Sequence, residues 1–127
     1  MKVPEDLKYT KDHEYLKLDG GIGKVGITDY AQSELGDIIY VDITAEIGSE
    51  VNQGDVLGSI EAVKTVAEVY SPISGKIVEI NSAIKDNASL LNEDPYGEGW
   101  IIKIEPSQPE ELNNLLDSKA YSELIGI

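Results

Sequence analysis

The chain has 127 residues, with 24 Asp and Glu against 10 basic residues and a formal net charge of −14. Every basic residue is a lysine, there is no cysteine, and His13 is the only histidine. These counts exclude a disulfide framework, thiol chemistry and a histidine-rich metal site. The acidic surface argues against nucleic acid and anionic membranes as partners, and favours proteins with basic docking surfaces.

The length suits a single domain, 1–127. No apolar run is long enough to span a bilayer, and the start, Met1 to Asp6, has no apolar signal core. The expected location is the cytoplasm of a bacterium or archaeon, or a mitochondrion if a transit peptide has been removed.

In chain order, Tyr15 to Leu18 and Lys24 to Ile27 read as strands flanking Asp19-Gly20-Gly21, a tight hairpin turn. Asp29 to Leu35 is a short helix, capped by Thr28 or Asp29 and stopped by Gly36. Ile38 to Thr44 is rich in β-branched residues and reads as a strand. Val56 to Ile60, Thr65 to Tyr70, Lys76 to Ile80 and Trp100 to Glu105 follow as further strands, with turns at Asn52 to Asp55 and Ser71 to Gly75. After Pro106 the pattern becomes helical over 109–125. Pro109, Glu110 and Glu111 open it, and Leu112, Leu115 and Leu116 share one face. A second short helix covers Lys119 to Ile125. The segments Ile47 to Gly54 and Gly75 to Asn81 echo one another on either side of Lys64, as two half-sheets would. Strands to about residue 105 followed by helices suggest an antiparallel β barrel or sandwich with helices at one end.

Lys64 lies in Ile60-Glu61-Ala62-Val63-Lys64-Thr65-Val66, between two strands. A turn at Val63-Lys64 projects the side chain into water, where it can reach another protein's active site. The tip has Val63 and no Asn, Asp or Gly, which is poor chemistry for a turn that is only a turn. An ordinary lysine amine is mostly protonated at neutral pH and is a weak nucleophile unaided. An external ligase would have to activate and deliver an acyl group, and the resulting amide would make the chain one unit more negative. The plain alternative is a solvated hairpin lysine. An enzyme using this amine for Schiff-base chemistry needs a desolvated or cation-flanked lysine; Glu61 and Glu68 nearby favour the ammonium instead. A purely structural or adaptor domain is the remaining alternative.

Glu61-Ala62-Val63-Lys64-Thr65 keeps the Glu, Val and Lys of a Glu-Ser-Val-Lys-Ala modification motif. Tyr9 to Tyr15, Val25 to Gln32 with Leu35-Gly36-Asp37, Ser71 to Asn81 and Asn92 to Trp100 supply four more blocks in one order. Together these resemble the glycine cleavage system H proteins across nearly the whole chain. Tyr15 stands where that family usually has Trp, and Ala62 and Thr65 where Ser and Ala are common. Biotin carriers share the fold, but their lysine usually sits between two methionines, and Met1 is the only one here.

The resemblance implies a lipoyl/biotinyl-type antiparallel β sandwich-barrel hybrid with a short internal helix and C-terminal helices. It implies a non-enzymatic carrier with lipoate on Lys64. In that cycle glycine decarboxylase (P protein) loads an aminomethyl group onto the lipoyl arm, and aminomethyltransferase (T protein) moves the one-carbon unit to tetrahydrofolate. Dihydrolipoamide dehydrogenase (L protein) then reoxidises the dithiol. A lipoate ligase or lipoyl/octanoyl transferase attaches the group, with Glu61, Glu68 and Gly48 implied in its recognition. Glu14, with Asp12 and Glu68, is implied in the cleft that shelters the loaded arm; the alternative for Glu14 is a solvated acid on an edge strand. His13 reads as a structural imidazole. The runner-up function is a lipoate relay that hands the group to other dehydrogenase complexes.

Overall fold

The structure is a computed structural model describing residues 1–127. One six-stranded antiparallel sheet contains, in spatial order, β1 (Lys8–Tyr9), β2 (Glu14–Asp19), β3 (Ile22–Ile27), β9 (Ile102–Pro106), β8 (Gly75–Ile80) and β5 (Glu50–Val51). A three-stranded sheet contains β4 (Ile38–Ile43), β6 (Val56–Ala62) and β7 (Val66–Tyr70). The result is an open antiparallel sandwich rather than a closed barrel.

Strand periodicity explains how the core forms. Leu16, Val25 and Ile102 are neighbours in register across β2, β3 and β9, and all three are buried. Their alternates Lys17, Lys24 and Lys103 are also neighbours and face outward. In the smaller sheet Val41 and Ile60 pair inward, while Tyr40, Glu61 and Val66 line up on the solvent side. The inward rows of both sheets meet in one apolar cluster of 16 residues. A second cluster gathers Leu7, Tyr9, Tyr15 and Tyr121.

The β2–β3 turn is built as expected. Gly20 and Gly21 have φ of 59° and 84°, the positive pair that a two-residue hairpin of matching twist requires. The helix α1 (Asp29–Leu35) is capped by Thr28, whose hydroxyl accepts from the Ala31 amide at 3.1 Å, and Gly36 follows it with its N–H on Gln32 O. The two echo segments pair with each other: Glu50 lies opposite Lys76 and Val51 opposite Gly75.

The C-terminal segment departs from expectation. Residues Pro109–Asn114 form a 3-10 helix, and Leu115 is already extended. Leu112 and Leu115 pack on the main core, whereas Leu116 exchanges backbone hydrogen bonds with Tyr9 at 2.8 Å each way and joins the tyrosine cluster. The three leucines therefore do not share a helical face. The cause is tertiary: the Glu111 carboxylate accepts from the amide and hydroxyl of Ser74, both at 2.7 Å, which fixes the segment on the sheet. An α-helix, α4 (Ser118–Ile125), closes the chain, with Asp117 as its N-cap. Two one-turn helices, α2 (Ala83–Asp86) and α3 (Leu90–Glu93), fill the β8–β9 connection and bury Ile84 and Leu91.

Candidate functional site

Strand β6 ends at Ala62 and β7 begins at Val66, so Val63, Lys64 and Thr65 form the tip between them. The Ala62 amide donates to Thr65 O at 2.8 Å, which closes the turn without any Asn or Gly. The Val63 amide donates to Asp37 O at 3.1 Å, which ties the tip to the start of β4. Ala62 points inward and is buried, while Lys64 is exposed. The one ion pair in the molecule, Lys103 to Glu79 at 3.5 Å, lies elsewhere. The tip thus presents an unencumbered amine on a short, anchored connection.

Four large apolar side chains are exposed around it: Val63 (66%), Val66 (61%), Ile39 (54%) and Tyr40 (54%). Tyr40 and Val66 flank Glu61 in register, so this carboxylate, three residues before the lysine, sits between two exposed apolar side chains. Exposed apolar residues scattered singly are unremarkable, but here several lie on the connection that carries the amine and on the strands beside it. Sequence reading singled out Val63 alone; Tyr40 and Val66 join it through their register with Glu61, and Ile39 is the residue that the register shift between Ile38 and Tyr40 leaves unpaired.

A cleft of about 140 Å³ opens between α1 and β7. Asp12, Glu14 and Glu68 line it together, with Ala31, Leu35 and Ile60 as part of its apolar wall. Ala67 to Val69 form one side, beginning three residues after Lys64, or roughly 10 Å along an extended strand. Glu14 is not a solvated acid: it is 2% exposed. The Thr10 hydroxyl donates to its Oε1 at 2.6 Å and the Tyr70 amide to its Oε2 at 3.3 Å. Burial pushes the carboxyl up to about 7, against the pull of those two hydrogen bonds and with a smaller push from Asp12. Glu14 also lines a second cleft of about 230 Å³, bounded by Tyr9, Tyr70 and Leu116, so the buried carboxyl separates two openings.

The other expected residues divide. Glu61 and Glu68 are exposed on β6 and β7, near the tip. Gly48 is not: its amide donates to Ile77 O, and the preceding Ala45 bonds Leu57 O, at the far end of β6. Leu57 is seven residues before Lys64, roughly 20 Å along the strand. Gly48, with φ of 91°, instead serves the turn into β5. His13 adopts a φ of 71°, with its Nδ1 2.9 Å from the Tyr121 hydroxyl and its carbonyl accepting from the Thr28 amide. Burial lowers its pKa, and its contacts are those of a structural imidazole. No group of three or more His, Asp or Glu is placed to hold a metal. No helix is long and apolar enough to cross a membrane.

Tyr15, which stands where the family usually has Trp, is fully buried, and its hydroxyl donates to Pro95 O at 2.7 Å. A Cβ on the opposite residue, Gly26, would come within 2.7 Å of the Tyr15 ring, so this glycine makes room for the aromatic.

Comparison with known proteins agrees along the whole chain. Residues 7–126 match the family model described as glycine cleavage H-protein. The chain is 52% identical over 119 residues to the glycine cleavage system H protein of Symbiobacterium thermophilum, covering 94% of this chain and 92% of the relative. The crystal structure of a glycine cleavage system H protein from Mycobacterium marinum is similar with a TM-score of 0.87 at 35% identity, covering 98% of this chain and 100% of that one.

Proposed function

The chain belongs to the glycine cleavage H-protein family, the lipoyl carriers of the glycine cleavage system, and from that premise we propose that Lys64 is the lipoyl attachment site of a carrier with no catalysis of its own. The observation that carries the reading is the exposed Lys64 on a tip anchored through Val63 and Ala62. The donor chemistry fits the group: acylation needs one accessible amine, Ala62 turns inward, and neither Val63 nor Thr65 beside the lysine reduces its exposure. When bound, lipoate supplies the dithiol–disulfide chemistry that a chain without cysteine lacks.

The protein's own residues present, shelter and protonate. The short tip lets the amine reach into a separate catalyst, while the bond from Val63 to Asp37 keeps its origin fixed. Ile39, Tyr40, Val63 and Val66 offer an apolar contact, and Glu61 and Glu68 add charges that a basic enzyme surface can read. The cleft beside β7 has an apolar wall of Ile60, Ala31 and Leu35, against which the carbon chain of a loaded arm could pack. Within it the Glu14 carboxyl stays poised near neutrality and can hold a proton or pair with a cation that enters. Asp12 and Glu68 at the rim add to the negative field.

Membership brings the glycine decarboxylase and the aminomethyltransferase as partners. The reading extends to dihydrolipoamide dehydrogenase and to a lipoate ligase or lipoyl/octanoyl transferase. It also takes residues 1–127 as one carrier domain working in the cytoplasm. Intact-mass measurement after incubation with a lipoate ligase, lipoate and ATP tests the attachment site. Wild type should gain one lipoyl increment and Lys64→Ala none; an increment retained by the variant would place the group on another lysine.

A further inference from the structure

The outer face of the six-stranded sheet, on the opposite side from its core row, carries a feature that the carrier function does not use. Lys17, Lys24 and Lys103 stand side by side in register on β2, β3 and β9. Like charges in directly opposed cross-strand positions are unfavourable. The chain has only ten lysines against 24 acids, yet three of them occupy adjacent sites.

Their charges are poorly balanced by the protein itself. Lys103 pairs with Glu79 at 3.5 Å, with both side chains partly solvated, and its Nζ lies 4.8 Å from the centre of the Trp100 ring. The Lys24 ammonium donates to a backbone carbonyl, Tyr96 O at 2.9 Å, rather than to a carboxylate. Lys17 has no ion pair. Asp19 lies at one margin, and Asp94 acts on Lys24 from the neighbouring loop. Burial and the two flanking ammonium groups lower the Lys24 pKa, with those acids opposing.

The surface is also concave. The three lysines border a cavity of about 530 Å³, a size typical of small-molecule sites. Ile22 and Val78 give it an apolar margin. Val78 is there because β8 changes register between Ile77 and Glu79. A regular strand would send Val78 and Glu79 to opposite faces, whereas this bulge turns both toward the cavity.

We propose that the lysine row of β2, β3 and β9 is a binding site for a small molecule bearing an oligophosphate group, with Ile22 and Val78 contacting its less polar part. Lysines bind phosphate as point charges, and three flexible side chains on adjacent strands can converge on one oligoanion. The site lies on the sheet that does not carry Lys64, so an occupant leaves the hairpin tip free.

The test is a nuclear magnetic resonance titration of the full-length protein with inorganic tripolyphosphate, beside sodium chloride at matched ionic strength. Saturable shifts are expected at Lys17, Lys24, Val78 and Lys103, with none from chloride alone. Lys17→Gln with Lys103→Gln should weaken binding about tenfold or more. Glu79→Gln, which frees Lys103, should tighten it severalfold, a gain that damage to the fold cannot imitate. Shifts that fail to saturate, that fall equally on Lys64, or that are unchanged in both variants would overturn the assignment.

Discussion

Glu14 shows how much one side chain's chemistry depends on what covers it. As a residue of a short strand beside His13 it could be read as a rim acid, but it is buried between two clefts and its carboxyl is raised from 4.5 to about 7. The folded state therefore holds the proton more tightly than the unfolded state. Stability is greatest below about pH 4.5 as far as this group is concerned, and falls as pH rises toward about 7, by something on the order of 3 kcal/mol when the shift is converted. Glu14→Gln should remove that portion of the slope. Urea unfolding of both proteins at pH 5 and pH 8 measures it, since the other carboxylates contribute a common background. Identical pH slopes would mean that Glu14 is not desolvated in the folded protein. The same poise gives the cleft its use, because a cation entering it meets a carboxyl that can ionise at little cost.

Elements defined by local chemistry were legible, and those defined by distant partners were not. The Asp19-Gly20-Gly21 turn and the Thr28 and Gly36 boundaries of α1 are written in adjacent residues and fold as read. Strands β1 and β5 are two residues each and carry no periodicity of their own. They exist because β2 and Leu116 pair with one, and β8 with the other. The 3-10 helix follows from Glu111 reaching Ser74, 37 positions earlier. Likewise Lys64 was visible through its motif, whereas the Tyr70 amide on Glu14 comes from 56 positions away. Gly58 tests the sheet that carries the lysine. A Cβ there would run into the Asp42 carbonyl and come within 2.9 Å of Ile43 Cα, all backbone, so β4 and β6 would have to separate. Gly58→Ala should cost about 1–3 kcal/mol, seen as a lower thermal midpoint and faster amide exchange along β6. An unchanged midpoint would show that the two strands are not this close.

At the scale of the whole molecule, two kinds of surface meet at the lysine tip, and they should govern different rates. A net charge of −14 on 127 residues creates a field that draws in a basic partner before contact. That field is screened over about 8 Å at physiological salt, so it acts on encounter and weakens as salt is added. The exposed Ile39, Tyr40, Val63 and Val66 act only after contact, by leaving water, and that contribution does not weaken with salt. Association of this protein with the decarboxylase, followed by stopped flow, should therefore slow about tenfold or more between low and high salt, with little change in dissociation. Tyr40→Ser with Val66→Ser should do the reverse: faster dissociation, with the salt dependence of association intact. The two signatures separate because charge acts before contact, whereas these four apolar groups act only once the surfaces meet. If association were insensitive to salt, the acidic excess would serve solubility alone and the apolar tip would have to account for recognition by itself.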